Sequence, residues 1–452
     1  MRTLFTSIAI TTSVLGCASD TPPVTEELAQ ALTCPPPTID PLRSLTVTDK
    51  AVMNQFSFKK VMTQISTSAN ATNTPTAMFQ AWMQTFDDCT TKGIDPHHFG
   101  IPCRDEITDL AALDPFGANG YVPLAVVNRF DLAPKSGADC GEYRVVYGLP
   151  AGFERVARSL LIFEARMPNP RTDLGLAGCA PVADFWAELS TETKAGVRAQ
   201  KLATFYFTGL QAGGETFEPV VSASHYGLAT SGGAHAVGQI RTNMLGGQVW
   251  QLREFKLGKP CAAGDPCDLS VQHVTVKTNP ANEVFANSDQ LATDFQTKFL
   301  KQVPALSSTD LATIGMTTPN TDNEYESVSL GAQDVVYRNF ANSTLRSEIQ
   351  GVVSGGLSVD NVLDRATTQT CAGCHQFSNS VNLGPGKQGL VWPNSLGFVQ
   401  ISEQQALSPA IKNVFLPHRA QVLNDFLAAQ CTGQQTVDDG TNLGGGALDA
   451  AN

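Results

Sequence analysis

Charge is scarce in this sequence. Only 16% of its 452 residues are charged, against roughly 25% in an average soluble protein. Basic residues are scarcer than acidic ones, 30 against 42, for a net charge of −12. No basic patch with interleaved aromatics is present. These shortages exclude nucleic acid as a partner and an electrostatic grip on anionic lipid. Beyond the first twenty residues no stretch approaches the ~18 consecutive apolar residues of a membrane-spanning helix. A nucleophile elbow, a P-loop, a dinucleotide fingerprint and an HExxH pair are all missing. There is no internal repeat. No methionine follows Met316, and only one histidine, His418, follows His375.

What is there begins with an apolar stretch from about Leu4 to Leu15, preceded by Arg2 and ending in Val14-Leu15-Gly16-Cys17. It is too short to span a bilayer and suits a signal h-region. Small residues before a cysteine resemble the lipobox of bacterial lipoproteins. That resemblance implies cleavage before Cys17 and lipidation of Cys17, and with Ala18 following it implies an outer-membrane address facing the periplasm or the cell surface. An ordinary secretory signal is the alternative. Either way the chain is expected to be exported.

The rest, 42% hydrophobic overall, is long enough for two to three domains. Residues 1–16 read as signal peptide. Residues 17–40, rich in Pro, Thr and acidic side chains, read as a tether carrying the lipid. Residues 41–329 read as a helix-flanked β-rich domain. Phe58, Val61, Met62 and Ile65 fall at helical spacing, and "TAMFQAWMQTFDDC" reads as a second helix. Between about 120 and 280, "YRVVYG", "SLLIFEARMP", "ATFYFTG", "GQIRTN" and "VWQLREFKLG" read as strands. Trp250 and Leu252 alternate with Gln251 and Arg253 as in a half-buried strand, and Gly246-Gly247 marks a hairpin. Strands without regular intervening helices predict an α+β fold whose centre is an antiparallel sheet or sandwich. "DQLATDFQTKFLKQV" reads as helix. Residues 433–452, rich in Gly and Asp, read as a disordered tail.

Polar residues concentrate in the strand-like motifs: Asn128 to Asp131, Glu142-Tyr143-Arg144, Glu164, His225-Tyr226, Gln239 to Asn243, and Arg253-Glu254. Structural ion pairs between neighbouring strands account for them. The alternative is an enzyme site in which Glu142, Glu164, His225 and Arg241 supply acid/base and anion-binding groups. His97-His98 falls in a loop with no third metal ligand at a usable spacing.

The chain has 11 cysteines. With Cys17 set aside, ten remain, an even number that in an oxidising compartment reads as disulfides. Two of them stand in "TTQTCAGCHQF", residues 367–377. Cys371, Cys374 and His375 have the spacing of a c-type haem attachment site, in which two thiols add to the porphyrin vinyls and the adjacent histidine reaches the iron. A structural disulfide turn is the main alternative. A zinc site lacks a second ligand pair, and a redox dithiol lacks a thioredoxin-like context. If Cys371 and Cys374 hold haem, the other eight form four bridges. Local pairing gives Cys89–Cys103, Cys140–Cys179 and Cys261–Cys267, leaving Cys34 with Cys431.

On those three residues the region 330–432 resembles c-type cytochromes. The resemblance implies a small α-helical haem-binding region with a helix leading into the motif, a loop after it, and a C-terminal helix over the haem edge. "QVLNDFLA", with Val422, Leu423, Phe426 and Leu427 on one face, suits that last helix. It also implies one covalent haem c, with Cys371 and Cys374 as thioether links and His375 as proximal ligand. Lacking a downstream methionine, the iron would take His418, or an upstream side chain (Met316, His225, His235 or His273), or remain five-coordinate. The chain from about 41 to 430 further resembles predicted lipoproteins of myxobacterial type, in which "NRFDLAP", "EYRVVYG" and "TCAGCH" motifs occur together. That second resemblance implies an architecture and assigns no activity. The expected function is electron transfer with a redox partner protein. The alternatives are a peroxidase-like haem oxidoreductase with an open distal site, and a haem-free, disulfide-rich surface binding protein.

Overall fold

A computed structural model describes residues 34–87, 109–150, 157–231, 233–246, 249–276, 279–316, 325, 336–385, 389–434, 436–438 and 440–444. Cys17, Cys89, His97, His98 and Cys103 lie outside the described residues.

The fold is α+β, built on a large antiparallel sheet. Its strands are β1 (Thr46–Val47), β2 (Val122–Arg129), β3 (Asp139–Gly148), β4 (Ala157–Pro168), β7 (Gln239–Gly246), β8 (Val249–Gly258) and β9 (Ser270–Val274), in that spatial order. A separate hairpin pairs β5 (Leu210–Ala212) with β6 (Glu215–Phe217). The longer helices are α1 (Phe58–Ser68), α2 (Pro75–Gln84), α3 (Ala180–Thr191), α4 (Ala195–Phe207), α5 (Gln290–Leu300), α6 (Ser343–Val352), α7 (Val359–Thr368) and α8 (Leu416–Cys431). No helix among the described residues is long and apolar enough to cross a membrane.

Strand alternation sorts the sheet into two unlike faces. The register sets Val145 opposite Phe163, Phe163 opposite Ile240, and Ile240 opposite Phe255. This apolar face packs under the helices. Phe163 meets Phe58 of α1, Trp82 of α2 and Tyr226 edge-on or tilted, and Tyr143 stacks on Trp186 of α3 at 5.7 Å. The α1 stripe Phe58, Val61, Met62 and Ile65 is buried there, and Ser57 caps the helix by accepting from the Lys60 amide.

On the other face the register sets Arg129 opposite Glu142, Arg144 opposite Glu164, Glu164 opposite Gln239, and Arg241 opposite Glu254. These charged side chains are all buried, because the chain from about 371 to 426 lies over them. The half-buried strand expected for β8 is therefore corrected. Gln251 and Arg253 are as buried as Trp250 and Leu252, since both faces of the sheet are covered. "ATFYFTG" is also corrected. It is the end of helix α4, whose buried Arg198, Ala199, Leu202, Phe205 and Tyr206 follow helical spacing once the residues before the aromatic run are included.

Three expected disulfides are present: Cys34–Cys431, Cys140–Cys179 and Cys261–Cys267. One hydrophobic core runs from Ile39 to Leu427. Part of the tail expected to be disordered forms an ordered strap: Lys135 donates to the Thr441 carbonyl, Leu443 to Ala133, and Gly444 to Asp131.

Candidate functional site

The CAGCH segment is set against the charged face by the helix that precedes it. α7 opens with a capping box between Ser358 and Asn361 and ends at Thr368. The turn then continues: the Cys374 amide donates to the Thr370 carbonyl at 2.9 Å and the Gly373 amide to Thr370 Oγ1 at 3.0 Å. Gly373 is dictated by space, for a Cβ there would lie 1.8 Å from the Thr367 carbonyl oxygen. The Cys371 amide donates to Asn279 Oδ1.

Cys371 and Cys374 are the free cysteines among the described residues, and both are buried. Burial pushes each thiol up to about 12, so both are held as S–H. Around Cys371 stand Arg241, Glu254 and Glu164 of the sheet. Around Cys374 stand Arg419, Arg129 and the Gln400 amide. Trp250, Leu252, Val276, Cys371 and Ala372 form a small apolar cluster with Phe377 and Phe398 against it.

His375 is buried and fixed by an amide. Asn243 Oδ1 accepts from Trp250 Nε1 at 2.6 Å, which turns Asn243 Nδ2 to the Phe398 carbonyl at 2.6 Å and to His375 Nδ1 at 3.3 Å. His375 Nδ1 lies 3.0 Å from the same Phe398 carbonyl. The short contact to a carbonyl assigns the proton to Nδ1 and the ring lone pair to Nε2. Ligating histidines are commonly held this way, one ring nitrogen on a carbonyl and the other on the metal. Phe398 sits at φ +62°, an uncommon conformation for a side chain of its size, and it presents that carbonyl. The indole of Trp250 stacks on Phe398 and lies 6.0 Å from the His375 ring. Ser395 Oγ donates to the His375 carbonyl.

Reduced thiols three residues apart on one helical turn, followed by a histidine anchored through Nδ1, are a donor set that fits covalent haem. Among the described residues no three His, Cys, Asp or Glu side chains gather as a metal site in their own right.

The candidate second ligands are dispersed. His418, in the first turn of α8, bonds the Gly444 carbonyl through Nε2 at 3.0 Å. His273 packs on Phe255 and Phe86 and bonds Arg253 and Thr85. It is therefore on the apolar side of the sheet, with the sheet between it and His375, which corrects its candidacy. His225 contacts the Val220 carbonyl and Glu218, His235 bonds the Gly227 carbonyl, and Met316 is buried in the main core.

The polar strand motifs resolve as ion pairs. Arg144 binds Glu142 and Glu164, Arg241 binds Glu164 and Glu254, and Gln239 donates to Glu164 at 2.7 Å. Glu164 is pushed up by burial and by Glu142, against the pull of Arg144 and Arg241. His225 instead meets the Val220 carbonyl and Glu218, beside Tyr226 on the apolar side of the sheet, so the acid/base foursome is not assembled. Phe398, Gln400 and Arg419 were not singled out by sequence reasoning, and Asn243 entered it only as the last member of the polar run Gln239 to Asn243. For Asn243 the available signal was its place one strand-step beyond Arg241. Comparison with known proteins gives no match: no family model, curated protein or solved structure is significantly similar to this chain.

Proposed function

We propose that residues 371–375 carry one covalent haem c and that the protein is an electron carrier, exported and anchored at the outer membrane through Cys17, serving a redox partner protein. The observation that carries this reading is the state of the cysteines. Six described cysteines are paired, while the two of the CxxCH motif remain thiols beside a histidine whose Nδ1 is tied to a carbonyl.

A haem held here would supply a one-electron iron couple. Cys371 and Cys374 would tether it, and His375 would hold the iron through Nε2. Trp250 and Phe398 would hold water away from the ring. Because both thiols are buried and protonated in the closed fold, attachment belongs to a stage before the C-terminal segment settles on the sheet. The closed apolar cluster around Cys371 and Ala372 favours a second reading, in which residues 371–375 are a packed structural turn without haem.

One experiment separates them. The full chain is produced in a host with c-type haem maturation, its spectrum recorded, and the protein extracted with acid–acetone. A pellet that keeps a haem spectrum with a sharp α band supports the proposal. His375→Ala should then keep haem but turn it high-spin or unstable, and Cys371→Ala with Cys374→Ala should abolish covalent haem. A high-spin wild type would favour the oxidoreductase over the carrier. Folded but colourless wild-type protein refutes haem, and an unchanged haem spectrum in the double variant refutes the assignment to these cysteines.

A further inference from the structure

Among the described residues, the charged face contains a buried cation, Arg419, whose charge is answered only by a long contact to Asp131 and by the Phe415 ring 5.9 Å away. Arg419, on the first turn of α8, is 3% exposed, and neither Nη1 nor Nη2 has a hydrogen-bond partner. Among the described residues its ion-pair contact is Nε to Asp131 Oδ2 at 3.9 Å. That carboxylate is already engaged: Arg129 Nε and Nη2 each lie 3.0 Å from one of its oxygens. Asp131 thus answers Arg129 and is left with little for Arg419. The other charged groups facing Arg419 are Arg129 and Arg144, both of its own sign. An uncompensated buried guanidinium is among the costliest arrangements a core can hold.

We propose that Arg419 is the cationic half of a buried anion site beside Cys374, and that its ligand is a carboxylate. A guanidinium offers a planar fork of donors, and the two Nη groups match the two oxygens of a carboxylate. The site lies where α8, the Asp131 turn after β2 and the CAGCH turn converge, and Cys374 is close enough to interact with Arg419 electrostatically. Two sources carry this chemistry. One is a carboxylate side arm of the haem proposed above, a source that rests on that reading. The other is a free small carboxylate, which does not.

The test measures the melting temperature of full-length wild type, of the Cys371→Ala/Cys374→Ala form, and of Arg419→Gln and Arg419→Lys. Acetate replaces chloride at constant ionic strength. The proposal expects acetate to raise the melting temperature by about 2–4 °C wherever the site is open, an effect lost in Arg419→Gln and weakened in Arg419→Lys. If haem supplies the anion, haem-bearing wild type ignores acetate while the double cysteine variant responds. If the anion is free, both respond alike. A colourless wild type that responds keeps the anion site and refutes only the haem. The proposal is overturned if neither form responds to acetate, or if Arg419→Gln responds as the wild type does. The wild-type and double-variant titrations decide the matter even if Arg419→Gln fails to fold, because absence of any acetate response in both forms overturns it as well.

Discussion

Asn243 is the residue on which the orientation of His375 turns, and its removal should be costly out of proportion to its size. The side chain accepts from Trp250 Nε1, donates to the Phe398 carbonyl that also takes the His375 Nδ1 proton, and sets its amide 3.3 Å from His375 Nδ1, all in a buried setting. Asn243→Ala strands the indole N–H in an apolar cluster, a penalty of about 1–3 kcal/mol. It also opens a small cavity worth roughly 1 kcal/mol more. We therefore expect a loss of about 2–4 kcal/mol in denaturant unfolding. The diagnostic is a cycle with Trp250→Phe, which removes the stranded donor. In that background Asn243→Ala should cost less, with a coupling of roughly 1–2 kcal/mol. A single-variant loss below about 0.5 kcal/mol, the ordinary range for an uninvolved position, or additive losses in the cycle, would refute the idea that this amide organises the site.

Acid should destabilise the fold partly through His273, which burial and Arg253 push down to about 3 from an unfolded value near 6.5. Between those values the unfolded chain binds the extra proton, so stability falls as pH drops below about 6.5, by on the order of 2 kcal/mol at about pH 5. His273→Gln should flatten that part of the profile, and an unchanged slope would count against it. The Cys34–Cys431 bridge closes a separation of 397 residues and Cys261–Cys267 one of 6. The chain-entropy relation gives roughly 6 against 2 kcal/mol for their removal, so paired Cys→Ala variants should rank in that order by denaturant midpoint. The reverse order would show that native contacts, and not loop closure, set their worth.

Local pattern was legible wherever a segment's periodicity is complete within itself. The α1 stripe read correctly because its own spacing defines the face it buries, and β3, β4, β7 and β8 read correctly as strands from their β-branched and aromatic runs between turn residues. "ATFYFTG" misled because a window of aromatic and β-branched residues hides the three-residue spacing that starts at Ala199. Gln251 and Arg253 misled for a different reason: what covers them is far away in sequence. The same distance conceals the site. Nothing near "FLPHRAQ" marks Arg419 above His418, and nothing near "GQIRTN" marks Asn243 as the partner of a histidine 132 positions later.

The charged ladder also fixes an order of assembly. Arg144, Glu164 and Arg241 are all translated well before the residues from 371 to 426 that cover them. Until those residues arrive, these charges are solvated by water, and the sheet has an interior only on its aromatic side. Commitment to the native state therefore waits for the last fifth of the polypeptide. A nascent or clipped chain ending before that point would be hydrated on one side of its sheet, open to proteolysis and without the Cys34–Cys431 bridge.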